Sequence, residues 1–101
     1  MNDDEIEVAI SKKGLTAPRV TPAKINDCIS KREFHVFGGT SLTVCCLTLS
    51  NGFTVTGESA CASPSNYDRG IGEDIAFSNA REKIWALEGY LLRQKLYEES
   101  Q

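Results

Sequence analysis

Apolar residues change their spacing twice along this chain, and the two changes divide it into three stretches. In residues 3–12, Ile6, Ala9 and Ile10 form one stripe at helical spacing. Asp3 or Asp4 is placed to cap that helix, acidic residues fill its first turn, and Gly14 follows Lys12 and Lys13 as a stop. The segment LTAPRVTP cannot continue it, because Pro18 and Pro22 push the residues before them into extended geometry. Thr21 then caps a second helix over about 22–31, with Pro22 at its first position and Ile25, Cys28 and Ile29 on one face.

From Glu33 the period becomes two. Phe34 and Val36 alternate with His35 and Phe37, and Gly38-Gly39 interrupts the run. Ser41 to Leu49 reads as a strand with Leu42, Val44, Cys46 and Thr48 on one side and Thr43, Cys45, Leu47 and Leu49 on the other. Both sides are moderately apolar, which predicts a strand covered on both faces. Asn51-Gly52 is a hairpin turn, since both residues tolerate positive φ. Phe53 to Ala60 returns as the partner strand, with Phe53, Val55, Gly57 and Ser59 sharing a face. Gly57 has the place of a residue that allows bulging or a close approach by another element.

Ser63-Pro64 opens a short helical turn, and helical spacing then runs without proline from about Glu73 to Glu98. Phe77, Ala80, Ile84, Leu87 and Leu91 form one stripe, and Trp85, Leu92 and Leu96 form a second line. The combined arc is wider than the ~100° of a helix resting on one surface. The second line, Trp85, Leu92 and Leu96, is therefore expected to meet another copy of the chain. Gly89 sits mid-helix, where a close helix crossing would account for it. The resulting fold class is α+β: short N-terminal helices, an antiparallel β-hairpin or meander, and a long C-terminal helix packed on the sheet. The expected organisation is one domain over 1–101, with segments 1–32, 33–62 and 63–98.

Composition narrows the functional classes. The net charge is −3, leaving no basic excess to coat a phosphate backbone. The opening MNDDEIEVAI is acidic where a secretory signal needs positive charge, and no apolar run approaches ~18 residues. The chain therefore reads as cytoplasmic, with Cys28, Cys45, Cys46 and Cys61 reduced. These cysteines lack zinc-ligand spacing, so no metal or cofactor is expected.

The run LTLSNGFTVTGESACASPSNYD, followed by IA and NAREKIWALEGYLL, resembles a family of small tailed-phage and prophage proteins named after gene product forty-nine of one phage and gene sixty-six of another. GLTAPRVTP fits the same resemblance, which spans about Leu15 to Leu92. It implies a phage or prophage origin, and hence the cytoplasm of a bacterial host. It supplies no activity.

Three function classes are open. The first is a non-enzymatic binding protein that acts on the host, either by holding a host protein or by sequestering a nucleotide signal in counter-defence. Its expected ligand surface is Arg19, Glu58, Ser59, Asn66, Tyr67, Arg69 and Arg81, where cations would meet phosphate and Tyr67 would stack. The second is a nucleic-acid-binding regulator, but PAKINDCISKR holds few basic residues on one face. The third is a small hydrolase using Cys61 and His35, for which no orienting third group is visible. The binding protein is the favoured reading, with a homo-oligomer or a host partner and no membrane.

Overall fold

The computed structural model describes residues 2–101. In order the elements are α1 (Asp3–Lys12), α2 (Pro22–Cys28), β1 (Ile29–Val36), β2 (Thr43–Leu49), β3 (Thr54–Ser59), a single 3-10 turn (Pro64–Asn66) and α3 (Arg69–Glu99). The strands form one antiparallel sheet in the order β1-β2-β3. Gly52 makes the β2–β3 turn at φ +89°, its N–H donating to the Leu49 carbonyl, while Asn51 Oδ1 accepts from Phe53 N–H. This is the expected α+β arrangement, with α3 lying on the sheet.

Several boundaries differ from the sequence reading. The cap of α1 is Asn2, whose side chain accepts from Glu5 N–H, and not Asp3 or Asp4. α2 ends at Cys28, short of residue 31. Ile29 is already extended and pairs with Leu49, while Ser50 donates from its N–H and its hydroxyl to the Cys28 carbonyl. Sheet pairing of a β-branched residue wins over helical spacing here. α3 begins at Arg69 instead of Glu73, because Asp68 Oδ1 accepts from Ile71 N–H and starts the helix ahead of Gly70 and Gly72.

β2 is covered on one face only, contrary to the two-sided expectation. Thr43, Cys45, Leu47 and Leu49 are buried beneath α3. Leu42, Val44, Cys46 and Thr48 are half-buried on the other side, where they are flanked by β1 and β3 in the plane of the sheet.

The core joins Ile25 and Cys28 of α2 to Cys45, Leu47, Leu49 and Val55 of the sheet and to Ala76, Ala80 and Ile84 of α3. Each large aliphatic side chain buried this way contributes about 1.5–3 kcal/mol. The buried line of α3 is Gly72, Ala76, Ala80 and Ile84; the expected stripe shares Ala80 and Ile84 with it, while Phe77 and Leu87 pack at its edge. Phe77 lies at its flank, with the Arg32 guanidinium 4.3 Å over its ring. Leu91 is 56% exposed. Gly57 brings the helix onto β3: a Cβ there would sit 2.2 Å from Ala80 N and 2.4 Å from Ala76 O. Gly89 has no such reason, since nothing lies within 4 Å of a Cβ built on it. The expected close crossing at Gly89 is not made within the chain.

α3 has 31 residues and a length of about 46 Å, set by its 1.5 Å rise per residue. The longest dimension of the molecule is 54 Å. A seven-residue strand spans only about 23 Å. The C-terminal part of α3 therefore overhangs the sheet. No helix among the described residues is long and apolar enough to cross a membrane.

Candidate ligand-binding surfaces

The structure divides the seven expected ligand residues into two groups. Glu58 and Ser59 end β3, Asn66 and Tyr67 lie in and after the 3-10 turn, and Arg69 opens α3. Local bonds hold this end of the molecule. Asn79 Nδ2 donates to the Glu58 carbonyl at 2.9 Å, and the Ser41 hydroxyl donates to the Cys61 carbonyl at 2.8 Å. Tyr67 is half-buried beside Gly72. Arg69 Nε donates to Glu73 Oε2 at 3.2 Å, one helical turn on.

Arg19 and Arg81 belong to a different region. Arg81 follows Arg69 by more than three turns of α3, about 18 Å along its axis. Arg81 donates to Asn26 Oδ1 at 3.0 Å and to Asp3 Oδ2 at 3.3 Å. Arg19 holds the Glu7 carboxylate through both of its terminal nitrogens. That bidentate pair keeps the Glu7 carboxyl below its ordinary range and raises the Arg19 guanidinium. All three arginines of the expected surface thus contact carboxylates. Trp85, expected at an oligomer contact, is half-buried against the core and faces the same region, lining a cleft with Arg19, Val20, Glu7 and Glu82. Leu92 and Leu96 are half-buried on the overhang.

Sequence reasoning missed a second surface. Where α3 leaves the sheet, a groove of about 460 Å³ opens between the β2–β3 turn, the end of α2 and the middle of α3. Leu49, Phe53, Leu87, Tyr90 and Leu91 give it an apolar lining, and Lys24, Asp27 and Glu88 stand among them. Phe53, Tyr90 and Leu91 are each more than half exposed. Cys28 lies at its floor, its thiol donating to Glu88 Oε1 at 2.9 Å. Burial first, and the Glu88 carboxylate second, push that thiol up to about 11. A thiol so poorly ionised is a weak nucleophile. The available signal was Phe53, a large apolar residue directly after the turn, together with an apolar stripe on α3 that outlasts the sheet.

Cys61 and His35 are not brought together. His35 is exposed on the open face of β1, edge-on to Phe37 with ring centroids 4.6 Å apart. Its register partner is Val44, which pairs in turn with Glu58. Glu58 is thus two strands away, roughly 10 Å, and Cys61 lies beyond the end of β3. The Cys61 thiol instead faces the Asn66 carbonyl at 3.7 Å.

The model of a phage protein family, described as the N4 Gp49/phage Sf6 gene 66 family, matches residues 20–96. No curated protein and no solved structure matches the chain.

Proposed function

This chain belongs to the phage protein (N4 Gp49/phage Sf6 gene 66) family, and from that premise we propose that it is a phage or prophage accessory protein that acts by binding a host protein. The apolar groove beneath the α3 overhang is the docking surface in this reading. The observation that supports it is the exposure of Phe53, Tyr90 and Leu91 around one groove. Contiguous apolar surface of this kind is expensive to leave in water and marks contact sites. Sequestration of a nucleotide signal is the weaker form of the proposal, because phosphate would have to displace Glu7, Asp3 or Glu73 from the arginines. Self-association through Leu92 and Leu96 on the same overhang is compatible with the docking role.

A photo-crosslinking side chain placed at Leu91, with a control at Thr56 on the open face of the sheet, tests the reading in infected cells. An adduct with one host protein at Leu91 and none at Thr56 is expected. An adduct of twice the 11.1 kDa chain mass would make a second copy the occupant. The same adducts from both positions, or none at Leu91, would remove the groove from consideration. A rise in melting temperature with cyclic nucleotides or ADP-ribose derivatives would restore the nucleotide form.

A further inference from the structure

α1 is held differently from α2. None of its residues is buried, whereas α2 is anchored by Ile25 and Cys28. Its side-chain ties to the rest of the molecule are two ion pairs, Asp3 with Arg81 and Glu7 with Arg19. Both pairs stay partly open to water, where screening leaves them little net stabilisation. Its Ile6 is exposed and its Ile10 only half-buried. A cleft of about 440 Å³ separates them from Val20, Pro22 and Trp85. The connection through residues 13–18 is exposed throughout, and the family match begins at Val20, beyond α1.

The pattern of these contacts is regular. Asp3 and Glu7 are four residues apart, as are Ile6 and Ile10, so acids and aliphatics run as two adjacent lines on one side of the helix. The surface beneath answers both lines, with Arg19 and Arg81 against the acids and Val20 and Trp85 against the isoleucines. Two arginines and a tryptophan next to an aliphatic are strong anchors for a helix docked in a groove. α1 engages them while leaving the apolar part underfilled.

We propose that the face formed by Arg19, Val20, Arg81 and Trp85 is a docking site for an acidic amphipathic helix of a partner protein, and that α1 occupies it in cis as a competing stand-in. This surface adjoins the groove at the β2–β3 turn across Arg19, Val20, Lys24 and Leu91 but shares none of that groove's lining residues, and its test reads Trp85, which lies outside the groove. The partner helix carries acids at i and i+4 beside aliphatics at the same spacing, and it fills the cleft that Ile6 and Ile10 leave open. A tethered competitor acts at an effective concentration on the order of mM, so the unmodified chain takes such a helix weakly until the partner's extra contacts outweigh α1.

The test uses the full chain and a fluorescein-labelled peptide with the sequence of residues 2–13. Trp85 is the only tryptophan, so its emission reports this face directly. In the double variant Asp3→Lys/Glu7→Lys, Trp85 emission should shift to the red and return when peptide is added. Peptide anisotropy should show at least tenfold tighter binding to that variant than to the unmodified chain. Adding Arg19→Gln and Arg81→Gln should abolish that gain while circular dichroism still shows a cooperative melt. The proposal is overturned if the double variant binds no tighter. It is equally overturned if a peptide with lysine in place of Asp3 and Glu7 binds as well as the native one. An unmodified chain that self-associates and is dissociated by the peptide would make a second copy the partner and overturn the assignment to another protein.

Discussion

The two ends of α3 bury side chains in the opposite order to their size. Where the helix lies on the sheet, the contact is made by Gly72, Ala76, Ala80 and Ile84. Where it overhangs, Tyr90 is 70% exposed, Leu91 56% and Tyr97 50%. Small residues let the helix backbone approach β3 so closely at Gly57 that no Cβ fits between them there. Tyr90, Leu91 and Tyr97 follow where the sheet has ended and leave their surface in water, as Ile71 and Ile75 do on the outer side of the first turns. Apolar content alone thus does not locate a core: the seated end is stabilised by close approach, and the overhang carries apolar area that its own fold does not use.

The largest effect should come from the point of closest approach. Gly57→Val would drive a branched side chain into the backbone at Ala76 and Ala80, which cannot yield as a flexible side chain would. Destabilisation of about 4 kcal/mol or more is expected, as for the severe overpacking class of substitutions. Urea denaturation of the variant measures it. A loss below about 1 kcal/mol would mean that α3 can lift from β3, and the contrast between the two ends would weaken.

A sharper form of the comparison exchanges one aliphatic residue at each end. Ile84 is fully buried, so Ile84→Ala should cost about 3 kcal/mol through lost transfer energy and a residual cavity. Leu91→Ala should change stability by less than about 0.5 kcal/mol, because its side chain is already mostly in water. Thermal melts of the two variants at equal concentration decide the matter. A large loss for Leu91→Ala that shrinks as the protein is diluted would show the overhang to be covered by another copy.

These contrasts also show where the sequence was legible. The Asn51-Gly52 turn, the Thr21-Pro22 start of α2 and the close approach at Gly57 follow from local chemistry, because each depends on φ, a cap or a missing Cβ. The α3 stripe was read in part: Ala80 and Ile84 are in the contact and Phe77 and Leu87 pack at its edge, but Gly72 and Ala76 were left out of it and Leu91 lies beyond it. Hydropathy weights Phe77 and Leu91 above Gly72 and Ala76, while tight helix-on-strand packing selects the small residues. Both strand faces looked apolar because Val44, Cys46 and Thr48 tolerate half-burial in a central strand without a second layer. The expected ligand surface grouped Arg19 and Arg81 with Tyr67 and Arg69, since sequence carries no distance along α3. That α1 places Glu7 and Asp3 against those two arginines is a tertiary fact with no local signature.

An effect of opposite sign lies beneath the first turn of α3. Thr43 is fully buried on β2, and its hydroxyl has no hydrogen-bond partner among the described residues. It sits under Gly72, where a Cβ would meet Oγ1 at 3.2 Å, so the hydroxyl occupies space that the close approach of the helix makes scarce. An unpaired buried hydroxyl carries a desolvation penalty of about 1–3 kcal/mol, and valine has nearly the same shape without it. Thr43→Val should therefore stabilise the fold by about 1 kcal/mol, raising the melting temperature by roughly 4–8 °C for a domain near this size. The seated end of α3 would then be improved by removing a polar atom, as tight apolar packing requires. A fall of similar size would mean that the hydroxyl is bonded in solution, and that the first turn of α3 sits further from β2 than close packing at Gly72 requires.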